Sequence, residues 1–412
     1  MRNRHPELLI PASSLEVLKT AVMFGADAVY IGGEAFGLRA KAKNFSMEDM
    51  KEGVQFAHEH GARVHVTVNI LAHNDDLEGA AEYLKGLKRN RTGCADHCRS
   101  GNLHACKRDC PEIERHVSTQ ANNTNYGTFN FWWNLGAKRV VTARELSLKE
   151  IREIRAHIPA EMEIESFIHG AMCISYSGRC LLSNFFTGRD ANQGACTHPC
   201  RWKYSVVEET RPGEYMPVYE NERGTYIFNS KDLCMIEHIP EMIDAGIDSF
   251  KIEGRMKTAL YVATVARTYR KAIDDYLEDP KKYEANMPWY RDQISNCTYR
   301  QFTTGFYFGK PGDESQIYDS NTYIKEYTYL GIIGGIKDGM YRIEQRNKFS
   351  VGETVEIMKP DGQNVEVTVE KIIDEDGQEQ ESAPHPKQVL YVALSGEASV
   401  YDILRRQEGV TE

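Results

Sequence analysis

An alternation of short apolar runs with helical stretches, repeated from Glu7 to about Asp279, predicts a (β/α)8 barrel of the TIM type. Two further observations point the same way. The residues just past the apolar runs are polar at almost every repeat, as befits the carboxyl ends of barrel strands, where chemistry collects in this fold. From Tyr323 the alternation gives way to period-two runs separated by KDG, KPDG and EDGQ turns, which predicts a small C-terminal all-β barrel. A doubly wound open sheet is the alternative, but no GxGxxG turn opens a helix to support it. The expected domains are therefore 1–285 for the barrel, 286–322 for a connection rich in tyrosine and asparagine, and 323–412 for the β domain.

Taken in order, LLIPA (Leu8–Ala12) is strand-like, and Ser13 or Ser14 caps the helix LEVLKTAVMFG, which Gly25 ends. AVYIGG is a second strand, and FSMEDMKEGVQFAHEHG an amphipathic helix capped by Ser46. RVHVTVNI is a third strand, followed by the helix DLEGAAEYLKGL. Further on come ERHVSTQ, a helix through NFWWNLG, RVVTAREL, the helix LKEIREIRAHI, EIESFIHG, and SFKIEGR before a long helix to Leu277. Seven strands are visible, and the eighth belongs between the third helix and ERHVSTQ. The β domain is built from YTYLGIIGGI, MYRIEQ, ETVEIM, NVEVTVEKII and VLYVAL.

The window where the missing strand belongs, RNRTGCADHCRSGNLHACKRDC from Arg89 to Cys110, contradicts its surroundings. Its only large aliphatic residue is Leu103, and it carries Cys94, Cys98, Cys106 and Cys110 with His97 and His104. Alone, that is a zinc-site pattern. Back-translated with a one-base shift, however, the window yields Glu-Ile-Gly-Arg-Asp-Ala-Leu-Ile-Ile-Ala-Asp-Pro-Gly-Ile-Phe-Thr-Leu-Ala, a strand, a turn and a helix start. We expect residues 89–110 to be a frame-shifted segment, bounded by compensating shifts near Lys88 and Cys110.

No apolar run reaches the ~20 residues that cross a bilayer, and the basic start MRNRHPELLIPASS is too short and too broken by proline to be a secretory signal. The expected compartment is the cytoplasm, where ten cysteines stay reduced and serve as ligands rather than disulfides. A net charge of −10 disfavours indiscriminate nucleic-acid binding and leaves room only for a local basic patch. Arg201, Lys203, Arg255, Lys257, Arg267, Arg270 and Lys271 are the candidates for one, with a solvated helix face as the alternative.

The densest chemistry lies in ESFIHGAMCISYSGRCLLSNFFTGRDANQGACTHPC, Glu165 to Cys200. Cys173, Cys180, Cys196 and Cys200 are spaced C-x6-C-x15-C-x3-C, wider than the paired short knuckles of zinc sites. A larger iron–sulfur cluster fits such gaps better, with zinc and inert thiols as alternatives. Cys234 is an alternate fourth ligand, and Cys297, without a partner pattern, is expected to be structural. At the strand ends stand Glu34, Arg39, Asn69, Gln120, Asn122, Asn123, Arg144, Glu145, His169, Glu253 and Arg255. Of these, Arg39, Asn69, Gln120, Asn122, Arg144 and Arg255 are candidate substrate-binding groups, since guanidinium suits carboxylate or phosphate and amides read hydroxyls or base edges. His169, Glu165 and Glu253 are candidate acid–base groups, with a structural histidine and arginine-paired carboxylates as the alternatives.

The motif E-x-F-x2-G-A-M-C-x4-G-x-C-x-L-S, Glu165 to Ser183, resembles the signature of the U-thirty-two, or collagenase-like, peptidase family. AVYIGGEAFGLRAKAKNFS, STQANNTNYG, NSKDLC and FKIEGRMK resemble the same family, so the likeness spans nearly the whole chain outside residues 89–110. The resemblance implies an oxygen-independent hydroxylase holding a 4Fe–4S cluster on this cysteine set and acting on tRNA, ribosomal RNA or a quinone precursor. The β domain is a feature of the RNA-acting members, and in the tRNA branch the product is wobble 5-hydroxyuridine with prephenate as the hydroxyl source. Ribosomal RNA hydroxylation and a collagenase-like peptidase are the competing activities. No serine elbow, HExxH or Cys–His signature supplies a nucleophile or metal-bound water for the latter.

Overall fold

The computed structural model describes residues 5–33, 45–69, 74, 79–90, 94–97, 100–173, 175–176, 179–191, 195–202, 205–206, 216–217, 229–297, 299–311, 315–317 and 326–408. The chain divides into two compact units. Met1–Lys19, Asp27–Met256 and Arg300–Thr322 form the first, and Thr20–Ala26, Lys257–Tyr299 and Tyr323–Glu412 the second. Among the described residues no helix is long and apolar enough to cross a membrane.

Eight parallel strands make the first unit: β1 (Glu7–Pro11), β2 (Ala28–Gly32), β3 (Arg63–Val68), β4 (Cys94–His97), β5 (Glu114–Val117), β6 (Arg139–Val141), β7 (Glu163–Ala171) and β8 (Ser249–Ile252). Each pairs with the next, and β8 also pairs with β1, so the ring closes as the alternation predicted. Strands β1 and β2 are buried throughout, as parallel strands covered on both faces must be. Between them run α1 (Leu15–Met23), α2 (Met47–Glu59), α3 (Ala80–Arg89), α4 (Ser100–Asp109), α5 (Tyr126–Asn134) and α6 (Leu148–His157). Ser46 and Asp49 form a capping box on α2, and Ser147 and Glu150 one on α6, so local chemistry sets where these helices start. A short helix α7 (Leu182–Thr187) lies in the cysteine-rich insert, and α8 (Ile239–Asp244) precedes β8.

The cysteine-rich window supplies the fourth strand and helix after all. CADH pairs in register with β3, Cys94 opposite His65 and His97 opposite Val68, and with β5 on its other side. Backbone hydrogen bonding needs no apolar side chain, so the argument that these residues leave a gap in the wall does not hold. Leu103 and Cys106 on α4 are buried, and Cys110 is buried just beyond it. Burial pushes the Cys106 thiol up to about 11. Cys98 and the Cys94 side chain lie outside the described residues.

At the amino-terminal ends of the strands the barrel interior is closed by charge. Arg139 Nη1 donates to Glu7 and, at 3.1 Å, to Glu165, while its Nε and Nη2 reach Glu163 at 2.8 and 2.6 Å. Lys251 Nζ donates to Glu165 at 2.7 Å, and Ser249 Oγ to Glu7 at 2.9 Å. His65 and His116 pack edge-on at 5.1 Å in the same layer. Burial would raise the Glu165 carboxyl, but the Lys251 and Arg139 charges override it and hold it at about 2. Burial instead pushes His65 down to about 3 and His116 well below its usual value, so both imidazoles are neutral.

The second unit contains α9 (Ala259–Glu278) and six antiparallel strands: β9 (Tyr327–Lys337), β10 (Met340–Gln345), β11 (Thr354–Met358), β12 (Asn364–Asp374), β13 (Val389–Leu394) and β14 (Ile403–Gln407). The order β11–β14–β9–β10–β13–β12 closes on itself through β12–β11, giving the expected small β barrel. Ile333, Phe349, Ile357, Leu390 and Val392 are among its fully buried core. The basic residues of α9 do not form an exposed patch. Arg267 is buried, donating to Lys359 O at 2.9 Å and Asn364 Oδ1 at 3.0 Å, and Arg270 and Lys271 form ion pairs with Asp274 and Asp275.

Candidate active site at the barrel mouth

The carboxyl ends of the strands gather most of the polar residues expected there. Arg255, three residues past β8, donates to Thr67 Oγ1 at 3.0 Å. Its guanidinium lies so close to Gly32 that a Cβ there would meet Nη2 at 2.2 Å, which explains the glycine at the end of β2. Asn69, just past β3, is buried. Arg144 lies 4.0 Å over the Phe167 ring and pairs with Glu253 at 3.0 Å. Glu253 N donates to His169 O at 2.8 Å, and Gly170, at φ +104°, makes room: a Cβ there would come within 2.4 Å of Glu253 O. The Gly-Ala-Met-Cys step of the motif is therefore a close backbone crossing that delivers the chain from β7 to Cys173.

The amides past β5 divide between support and exposure. Asn123 is fully buried, donating to Ser118 O and Val141 O and accepting from Trp132 Nε1 at 2.9 Å. Asn125 caps α5. Gln120 and Asn122 are half-buried, and Asn122 accepts from Arg179 Nε at 3.0 Å, linking this loop to the cysteine-rich segment.

Two of the three candidate acid–base groups are committed elsewhere. Glu165 is not at the mouth at all. It belongs to the closed amino-terminal layer, with Lys251 on one oxygen and Arg139 on the other. Glu253 is the partner of Arg144, the arginine-paired alternative. His169 is fully buried, 5.7 Å from the Phe302 ring, and stands opposite Cys234 where the strand Asp232–Cys234 runs antiparallel to β7. Arg39 lies outside the described residues.

Of the cysteines in question, Cys173 and Cys196 are exposed, Cys180, Cys200 and Cys234 half-buried, and all are free thiols. Cys297 is buried, donating to Ile294 O, as a structural thiol does. A single tetrahedral ion with bonds of ~2.3 Å needs sulfurs about 3.8 Å apart. Among the described residues the only three ligand atoms within 4.8 Å of one another belong to His65, His116 and Glu165, not to the cysteines. That trio is no cation site, because both Glu165 oxygens are already held by cationic side chains. Free, partly accessible thiols are a soft donor set of the kind that holds iron–sulfur clusters.

Sequence reasoning missed the amino-terminal charge layer. Its signal was present: Glu163 and Glu165, and Ser249 and Lys251, alternate with apolar residues within short barrel strands, which puts them on the inner face. Thr67 was missed because a hydroxyl in a Val-rich strand is ordinary β sequence.

Residues 13–317 match Peptidase family U32 and residues 325–405 its C-terminal domain. "tRNA hydroxylation protein P1" of Bacillus subtilis is 42% identical over 405 residues, covering 98% of this chain and 95% of that protein. "tRNA hydroxylation protein P" of Escherichia coli is 36% identical over 420 residues, covering 92% and 91%. A 23S rRNA 5-hydroxycytidine synthase of Escherichia coli is 39% identical over 273 residues, 66% of this chain but 40% of that protein. With both of its parts matched, and relatives aligned along nearly its full length, the chain belongs to peptidase family U32.

Proposed function

We propose that this protein is a cytoplasmic tRNA-modifying enzyme that installs a hydroxyl at C5 of the wobble uridine, with prephenate as hydroxyl source and a 4Fe–4S cluster on Cys173, Cys180, Cys196 and Cys200. The observation that carries the reading is the near-complete alignment with proteins named for tRNA hydroxylation, both units included. The ribosomal RNA enzyme aligns over less than half of its own length, which favours tRNA over ribosomal RNA as substrate. When bound, the cluster would supply a soft, redox-active centre that a uridine or prephenate can approach.

The chain's own residues have separable tasks in this reading. Arg255, steadied by Thr67, and Arg144, steadied by Glu253 and Phe167, are two guanidinium groups at strand ends and suit the two carboxylates of prephenate. Gln120 and Asn122 offer amide donors and acceptors to the base. His169 holds the end of β7 from which the cysteine segment departs, and Glu165 takes no part in the chemistry. Cys234, on the strand beside β7, is the alternate fourth ligand.

The test is mass spectrometry of tRNA from a deletion strain. Wobble 5-hydroxyuridine should vanish on deletion, return with the wild-type gene, and stay absent with Cys173→Ser. Unchanged wobble modification in a strain lacking any second homologue overturns the reading. Gelatin cleavage at turnover rates by protein stripped of its iron would favour the peptidase instead.

A further inference from the structure

The cysteine-rich segment presents a surface that the chemistry above does not use. Phe185 is 82% exposed, Phe186 43% and Trp202 45%, and Leu181 beside them is 67% exposed. Grouped exposed aromatics on a soluble chain mark a contact surface, because each leaves a large apolar area in water. These side chains are held in place. A six-residue helix such as α7 is not stable alone, and hydroxyls tie it to the segment around Cys196. Thr197 N donates to Ser183 Oγ at 3.0 Å, Ser183 Oγ and Thr197 Oγ1 lie 3.0 Å apart, and Thr187 Oγ1 lies 3.2 Å from Thr197 Oγ1. The result brings the Phe186 ring within 6.2 Å of Trp202 and Phe185 edge-on to Phe186 at 5.2 Å.

Charge identifies the occupant. From Met172 to Lys203 the sequence carries Arg179, Arg189, Arg201 and Lys203 against one acid, Asp190, in a chain whose net charge is −10. Aromatic faces set among cationic side chains are how proteins hold unpaired nucleic acid: bases stack on the rings while phosphates meet the charges. A protein partner that bound through hydrophobic area alone would gain nothing from this local reversal of sign. We propose that Phe185, Phe186 and Trp202 form a stacking platform for an unpaired base of an RNA loop, on a segment whose sequence is locally cationic. The proposal rests on the RNA-modifying reading of the same site and adds the part that grips the loop next to the target nucleotide. Loop RNA rather than duplex is implied, since only splayed bases offer their faces.

Iron-loaded wild-type protein, Phe185→Ala, Trp202→Ala, Trp202→Phe and the control Phe308→Ala, another exposed aromatic, would be titrated at one salt concentration. The probe is a fluorescent anticodon stem-loop, and the same strand annealed to its complement serves as duplex. Stacking is worth about 1–3 kcal/mol per base, so each alanine variant should bind the stem-loop roughly 5- to 150-fold more weakly. Trp202→Phe should stay near wild type, Phe308→Ala should match it, iron per chain should hold, and the duplex should bind weakly throughout. Alanine variants that bind within twofold of a binding wild type overturn the platform and leave the hydroxylase reading standing. So does iron lost in step with affinity, which makes the rings a cover for the cluster. Undiminished RNA affinity with a dimer falling to monomer in sedimentation assigns the patch to a second copy of this chain. If wild-type protein restores tRNA hydroxylation in cells yet binds neither loop nor duplex, only the platform falls; if it does neither, both readings fall.

Discussion

At the amino-terminal ends of the barrel strands, Glu7, Glu165, Arg139 and Lys251 satisfy one another with almost no access to water, and Glu163 joins them from the half-buried edge of the layer. At the carboxyl ends of the same strands, Arg144 and Glu253 pair just as closely but keep part of their surface exposed, and four cysteines leave on a segment whose aromatics face solvent. Desolvating ions costs several kcal/mol each, and only a complete set of partners returns it. The floor is therefore a specification device: it fixes strand register because any slip strands a buried charge. At the mouth Arg144 and Glu253 stay partly hydrated, so in the proposed reading a carboxylate or phosphate would replace water at that pair without dismantling the barrel. The same residue types do opposite work according to which end of a strand they occupy.

The sharpest way to break that contrast is to remove the hub of the floor. Arg139→Met leaves the buried Glu7 and Glu165 carboxylates, and half-buried Glu163, without their shared guanidinium, and the loss of one partner from such a network costs about 3–5 kcal/mol. The expected result is a fall of that size in unfolding free energy by denaturant titration, with the first unit affected. A loss under about 1 kcal/mol would mean that the floor is hydrated and the comparison false.

This contrast also separates what the sequence made legible from what it hid. The barrel was legible because β2 is a continuous apolar run, because valines recur at every second position of β3, and because Ser46 announces its helix. The mouth was half legible: Arg144, Arg255, Asn69 and Asn122 lie where polar residues after apolar runs should, whereas Glu165 was misplaced. One glutamate in a barrel strand looks the same at either end, and only the partners Lys251 and Arg139, distant in sequence, reveal which. The fourth strand was illegible because CADH has no apolar periodicity, yet its backbone pairs on both sides. No strand is therefore missing, and what remains in favour of a frame shift is that a one-base shift of residues 89–110 spells a strand, a turn and a helix start; on that ground we still propose the shift, and an unshifted window confirmed in genomic DNA ends the idea.

Acid should open the floor before it touches the mouth. His65, held down to about 3, and His116, held well below its usual value, stay neutral when folded but take up protons near 6.5 when unfolded. Below pH 6.5 the unfolded state therefore binds more protons, and stability falls as pH falls, by about 1.4 kcal/mol per pH unit for each histidine. Glu165, held at about 2, adds loss of the same sign only below its ordinary range near 4.5. The denaturation midpoint should thus fall between pH 7 and pH 5, and His116→Gln should flatten that slope by roughly half. A midpoint that does not move over this interval would show that the imidazoles are solvated.

The smallest effect on stability is expected where the effect on chemistry is largest. Cys173 and Cys196 are exposed thiols outside the core, so Cys173→Ser or Cys196→Ser should shift the iron-free protein's unfolding free energy by no more than about 0.5 kcal/mol. Serine lacks a soft sulfur, so iron and sulfide retained after anaerobic purification should drop to background, together with visible absorbance. Cys106→Ser gives the reverse pattern, because it puts a hydroxyl in a fully buried position on α4 while touching no exposed thiol. Iron should stay and the midpoint should fall. If Cys106→Ser releases iron and Cys173→Ser does not, the metal belongs to the wall of the barrel rather than its mouth.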